Sequence, residues 1–351
     1  MVIARRRILF SIAGMTVAVG PASPMARAQS WPARPVRLIV GFTPGGPTDI
    51  LARLMGQWLT ERLGQTFVVE NRPGAGSNIG TEAVVSSAPD GYTLLLISTS
   101  AAISATFYDK LSFNLVRDLA PVAGIARVPM VMVVNPSVPA RTVTEFIAYA
   151  KENPGKVNMA SVGNGTTPHM AGELFKMMAG VDMLHVPYRG GAPALTDLIG
   201  ARAQVLFEGM PSVVEHVRLG RLRALAVTTR SRSQVLPDVP SLAEFLPDYE
   251  ASVWFGIAAP RNTPSGIVEV ANRAINAGLA DPSSQRAARR PGRHGAPWFV
   301  SRVRSTYFAR DREMGKGGPC DQPQARVTLK ACPAKALGLD PRAGTGLAKR
   351  I

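Results

Sequence analysis

Cysteine is nearly absent: Cys320 and Cys332 are the only two in 351 residues, and both fall close to the C-terminal end. The stretch from 29 to 282 contains none, which excludes a thiol nucleophile and a cysteine-ligated metal there. It also fits an exported protein whose core is large enough to do without disulfides. Histidine is scarce too. The same stretch holds His169, His185 and His216, at no spacing that suits a metal ion, so no metal is expected. There is no G-x-S-x-G elbow, and no G-x-x-x-x-G-K-[ST] to cradle a nucleotide phosphate. No segment beyond the N-terminal region has the length and apolarity of a transmembrane helix.

Acidic charge is also in short supply, and the formal net charge is +16. That excess would ordinarily suggest nucleic acid or an anionic membrane, but it is unevenly placed. Residues 1–28 carry four Arg and no acid; residues 29–282 carry 21 basic and 20 acidic side chains; residues 283–351 carry 15 basic and 4 acidic. The body is close to neutral, so no nucleic-acid partner is expected of it.

The first 28 residues read as a secretory signal peptide. Arg5, Arg6 and Arg7 form a positive start, Ile8 to Val19 is an apolar stretch too short for a stable span, and Ala26-Arg27-Ala28 is an A-x-A cleavage site. The mature chain is expected to begin near Gln29. Arg5-Arg6-Arg7-Ile8-Leu9 fits a Sec signal and a twin-Arg signal alike.

After the signal, short β-branched apolar runs alternate with helical patterns, which predicts an α/β fold with largely parallel sheets. Strands are expected at 36–40, 66–70, 93–97, 130–134, 157–160, 183–186, 205–207, 224–228 and 254–258. Helices are expected at 48–63, 143–152, 168–178 and 264–279. Thr142 and Glu145 are spaced as a capping box for the second of these. The block 132–252 reads as a complete βαβ set, a second lobe inserted into a first formed by 29–131 and 253 to about 316.

Four Gly-rich loops could carry chemistry. Gly41-Phe42-Thr43-Pro44-Gly45-Gly46-Pro47-Thr48-Asp49 joins a strand to a helix, where free N–H groups and the positive end of the helix dipole favour an anion. Thr48 or Asp49 could equally cap that helix. Asn71 to Gly80 is a second such loop; its glycines do not keep the dinucleotide spacing, and no cofactor is expected. Ser161-Val162-Gly163-Asn164-Gly165-Thr166-Thr167-Pro168-His169 is a third. It would face the first across a cleft, with His169 either on the ligand or packed against its own loop. Tyr188-Arg189-Gly190-Gly191-Ala192 is the fourth, in which Arg189 reads as a carboxylate partner or as a surface residue. Glu208 follows a strand, either facing the cleft to accept from an ammonium group or standing in solvent. Ser161 with His169 is the only candidate nucleophile and base, so an α/β hydrolase is a weak alternative and no enzyme is expected.

Taken in order, a set of segments resembles the periplasmic substrate-binding proteins of tripartite tricarboxylate transporters. They are Val40-Gly41-Phe42-Thr43-Pro44-Gly45-Gly46-Pro47-Thr48-Asp49, Glu70-Asn71-Arg72-Pro73-Gly74-Ala75-Gly76, Pro89-Asp90-Gly91-Tyr92-Thr93-Leu94, Gly172-Glu173-Leu174-Phe175, Val186-Pro187-Tyr188-Arg189-Gly190, Leu222-Arg223-Ala224-Leu225-Ala226-Val227-Thr228 and Trp254-Phe255-Gly256. The resemblance spans about residues 29–282. It implies a two-lobed periplasmic-binding-protein (Venus-flytrap) fold that closes on a small carboxylate, an organic acid or amino acid, and delivers it to membrane permease subunits. It implies a monomer in the periplasm with no catalytic residues. Carried over, its ligand-binding positions are Phe42, Thr43, Gly46, Thr48, Asp49, Ser98 and Thr99 in lobe one, and Ser161, Gly165, Thr166, His169, Arg189 and Ala192 in lobe two; Glu208 joins them on its own reading. An accessory protein that presents the same ligand to a sensor kinase would use the same site, and co-purification of the partner separates the two.

From about 284 the match is lost, apart from a short echo at Tyr307-Phe308-Ala309-Arg310-Asp311-Arg312-Glu313. The basic tail to 351 is expected to be disordered in part. Frameshifts in the coding sequence would account for its Arg, Pro and Gly content and for both cysteines. Resequencing the gene is expected to reveal them, and an intact reading frame would refute this reading.

Overall fold

The computed structural model describes residues 31–281; the expected signal peptide and basic tail lie outside these. Strand β1 (Val36–Val40) has four of its five residues buried, as a strand covered on both faces should. It runs parallel to β2 (Phe67–Asn71) on one side and β3 (Thr93–Ser98) on the other. Helix α1 (Pro47–Leu63) crosses from β1 to β2 and stops where Gly64 takes a left-handed conformation. Helix α2 (Asn78–Val85) leads into β3, and α3 (Thr99–Phe107) and the single turn α4 (Leu115–Asp118) lead out of it.

The long strand β4 (Leu119–Val134) organises the rest. Its first part, Leu119 to Pro129, runs antiparallel to β9 (Ser252–Pro260), which also pairs with β3 and so joins β4 to the first sheet. Its last part, Met130 to Val134, pairs with β7 (Val205–Gly209) and β8 (Arg223–Val227) in the second sheet. There β5 (Asn158–Ser161) lies between β7 and β6 (Leu184–Pro187), parallel to both. Helices α5 (Val143–Glu152), α6 (Thr167–Ala179), α7 (Gly191–Ile199) and α8 (Met210–Arg218) connect the strands of this half, and α9 (Ser265–Ala280) returns to the first.

The chain thus passes between the halves twice, once along β4 and once before β9. Thr228, fully buried, ties the two passages together. Its hydroxyl donates to the Ala251 carbonyl at 2.7 Å and lies 3.1 Å from both N and O of Met130, and its carbonyl accepts from Ala251 N at 2.8 Å.

Helix α5 matches its expected range residue for residue. Thr142 Oγ1 accepts from Glu145 N at 3.1 Å, while Glu145 reaches back past Thr142 to Arg141 N, at 2.6 Å. Strand β4 starts eleven residues before its expected beginning at Met130. Its two prolines sit where a missing N–H is tolerated, Pro121 at a register shift and Pro129 at the end of the β9 pairing.

Packing in the second half centres on Phe146, Phe175 and Phe207, whose rings are 5.6–6.0 Å apart in successive pairs. Gly172 of α6 lets that helix settle on β5: a Cβ there would collide with Met159 Sδ and lie 3.4 Å from Phe207 Cδ2. Met159 and Phe207 are both fully buried and have little room to move. Gly172→Ala is expected to cost about 1–3 kcal/mol by overpacking, read as a lower midpoint in urea; an unchanged midpoint would show that the layer has slack.

Candidate functional site

Five helices begin around the space between the halves: α1 after Gly46, α3 after Ser98, α6 after Thr166, α7 after Gly190 and α8 after Gly209. None of the five has a side chain capping its first N–H groups. Pro47, Pro168 and Pro211 sit in the first turns of α1, α6 and α8, where the missing N–H costs nothing. Elsewhere the chain does cap: Asn114, Thr142 and Ser241 each accept from the backbone of the helical turn they start. Helices α2 and α9 also begin without a side-chain cap; the five named starts share the space between the halves, where each adds a partial positive charge.

Gly46, Pro47 and Thr48 from α1, Ser98 and Ser100 from α3, and Phe42, Val253 and Phe255 bound a cavity on the first half; Val162, Pro168, Gly191 and Glu208 bound it on the second. Among the described residues, no Lys, Arg or His lines it. The halves touch around it. Ser100 Oγ accepts from Thr167 N at 3.3 Å, Tyr108 donates to the Asn164 carbonyl at 3.1 Å, and the Phe107 ring meets His169 edge-on. Gly190, at φ 149°, lies against Thr43, and a Cβ there would collide with the Thr43 hydroxyl.

The expected ligand-binding residues fall into three groups. Phe42, Gly46, Thr48, Ser98 and Glu208 line the cavity. Thr43 and Ala192 lie where the first loop meets α7, and the buried Thr43 hydroxyl has no partner among the described residues. The side chains of the third group are committed to the fold itself. Thr99 Oγ1 accepts from Trp254 N at 2.8 Å, Thr166 Oγ1 donates to the Gly163 carbonyl at 2.6 Å, and Gly165 N donates to His169 Nδ1 at 3.1 Å. Asp49 accepts from Gly45 N at 3.0 Å, from Asn71 Nδ2 at 2.9 Å and twice from Arg53. Burial pushes its pKa up, but the hydrogen bonds from Arg53, Gly45 and Asn71 outweigh burial and hold it below the usual value. Neither Thr48 nor Asp49 caps α1.

Arg189 is exposed and lines a separate opening of about 340 Å³ with Tyr108, Asn164 and Gly74 to Gly76. Glu208 does not stand in solvent: it is 2% exposed. The pairing of Ser161 with His169 is not formed. Ser161 Oγ bonds His185 Nε2 at 2.6 Å instead, because parallel pairing of β5 and β6 puts these residues on adjacent strands. Ser100, Val253 and Phe255 had no assigned place in the site. Phe255 lay in a recognised Trp-Phe-Gly segment, but only the pairing of β9 with β3 brings it to the cavity. Among the described residues no cluster of three or more His, Cys, Asp or Glu could hold a metal.

His169 and His185 stack at 3.9 Å between centroids, 14° from parallel. Burial, the neighbouring ring and Lys176 hold His169 down at about 3, and burial with Lys176 holds His185 at about 4. Both are depressed below the unfolded value of about 6.5. The stability they contribute is present above pH 6.5 and is lost as pH falls toward 4, because the unfolded chain takes up protons first. In urea titrations His185→Gln is expected to lose less stability than the wild type between pH 6.5 and 4, by on the order of 2 kcal/mol. Parallel curves would show that the pair does not govern acid stability.

Three comparisons place this architecture. The sequence profile of the tripartite tricarboxylate transporter family receptor matches residues 51–310, a range that runs past residue 284. Protein BugT of Bordetella pertussis is 40% identical over 274 residues, 77% of this chain and 84% of its own. Among solved structures, R. palustris Rpa4515 with adipate superposes with a TM-score of 0.73 at 35% identity, covering 88% of this chain and 98% of its own. MatC from Rhodopseudomonas palustris with bound malate gives 0.70 at 30% identity, covering 73% and 87%. The α/β fold of two lobes, one inserted in the other, is that of the periplasmic binding proteins, and no helix among the described residues is long and apolar enough to cross a membrane. This chain belongs to the tripartite tricarboxylate transporter receptor family, whose members bind solutes and are not enzymes.

Proposed function

We propose that this chain, exported by the signal ending near Ala28, captures a small carboxylate in the cavity between its halves as a monomer and delivers it to transporter permease subunits. One observation carries the reading. Four uncapped helix starts, those of α1, α3, α6 and α7, line a cavity that has no cationic side chain among the described residues of its lining. The first N–H groups and the dipole ends of such helices favour an anion, and a carboxylate supplies acceptors for them.

In this reading Gly46, Thr48 and Asp49 act through backbone N–H groups of α1, and the Asp49 carboxylate acts only as a brace. Phe42 and Phe255 cover the aliphatic part of the solute, and Ser98 offers a hydroxyl. Thr43 and Ala192 seal the cavity when the halves close. Gly165, Thr166, Ser161 and His169 shape the third loop, and Arg189 attracts the anion at the outer opening. The adipate and malate of the two solved relatives support a small carboxylate as the solute.

Thermal unfolding of the purified chain with malate, adipate and a set of amino acids tests it. A binder at a hundredfold its Kd is expected to stabilise by about 2.7 kcal/mol. Gly191→Ala, whose Cβ would lie 2.9 Å from Glu208 Oε2, is expected to stay folded and lose the shift. A folded wild-type chain that responds to none of these acids would sink the proposal.

A further inference from the structure

Glu208 is the one acid among the described residues that line the cavity. It is 2% exposed on β7, beside the first turn of α7. Its Oε1 accepts from Gly209 N at 2.7 Å; its Oε2 is buried and has no partner among the described residues. Such an oxygen is costly as an anion and much less so as an O–H that can donate to an acceptor within the cavity.

No cation among the described residues offsets the charge. Glu208 is in none of their salt bridges. The charged groups on the elements around β7 have other partners. On β4, Arg127 bonds Ser252 and Glu250. On α6, His169 holds Gly165 N, and Glu173 pairs with Lys176. On α7, Asp197 bonds Tyr188 and Arg202. On α8, Glu215 pairs with Arg218, and burial with Arg221 nearby lowers the pKa of His216. On α1, Asp49 is bound to Arg53. Strand β5 carries no titratable side chain.

A solute carboxylate seated on the helix starts would lie in the same closed space as this oxygen. Two anions there repel with little water to screen them. A proton on Oε2 removes the repulsion and turns Glu208 into one more donor toward the solute, in keeping with the N–H groups around it.

We propose that capture of the carboxylate is coupled to the uptake of one proton by Glu208, which then donates a hydrogen bond to the bound solute. No covalent bond changes. The proton comes from solvent before or during closure and returns there on release. The proposal rests on the carboxylate reading above. Burial already lifts the Glu208 pKa to about 7, so the coupling operates at and just above neutral pH.

The direct test is calorimetric titration of the full chain with malate and with adipate at pH 8, in two buffers of different ionisation enthalpy. The expected result is uptake of nearly one proton per solute bound, and an affinity that falls about tenfold per pH unit above pH 8. Glu208→Gln, whose amide still donates, is expected to bind with a flat pH profile. The proton count needs only the wild-type chain, so it stands even where that variant fails to fold. Binding without proton uptake would overturn this inference and leave the carboxylate reading intact. Proton release, with binding only of amino acids, would show Glu208 ionised against an ammonium group and would also overturn it. Failure to bind any carboxylate would overturn both.

Discussion

A helix start leaves backbone donors that must find an acceptor, and the five starts between the halves have no capping side chain of their own. Where α5 begins away from the cavity, Thr142 supplies the acceptor. Where α1, α3, α7 and α8 begin no such side chain stands, and at α6 Ser100 Oγ accepts from Thr167 N across the halves. The rest of the design follows. Glycine at the cap positions of α1, α7 and α8 carries no oxygen to fill the space, and proline in three of the first turns orients the helix without adding a donor. Gly190 lets the α7 start press against Thr43 where a side chain would hold the halves apart.

The same constraint explains why the cavity needs no cation. Partial charges at helix ends are fixed in direction and carry no large desolvation cost, whereas a buried guanidinium would need its own counter-ion when the cavity empties. Asp49 is neutralised by Arg53 and Glu173 by Lys176, which leaves Glu208 as the acid of this region with no salt bridge among the described residues. The +16 of the whole sequence comes from its two ends, because residues 29–282 are almost balanced.

Much of the fold was legible. Strand β1, helix α5 and the length of α1 follow from local patterns that tertiary packing then respects. The short helices α2, α3, α7 and α8 were not, because each follows a Ser or Gly that also suits a loop and runs for only eight or nine residues. Strand β4 was half legible, since its prolines mimic a loop until β9 is seen beside it. The Gly-rich loops marked where the cavity would form, but the duties of individual side chains were hidden. That Asp49 is a brace depends on Arg53 and Asn71, one from the next helical turn and one from β2. That Ser161 meets His185 depends on strand pairing across 24 residues of sequence.

Because β4 belongs to both sheets, no single cut separates the chain into a part holding all of one lobe and a part holding all of the other. A fragment ending before Met130 would keep β1 to β3 but lose β9, leaving the edge of β3 bare. A fragment beginning at Met130 would carry β9 without its neighbours. The molecule is therefore a poor subject for dissection, and an evolutionary exchange of one lobe between relatives would need two crossovers, both close to Thr228.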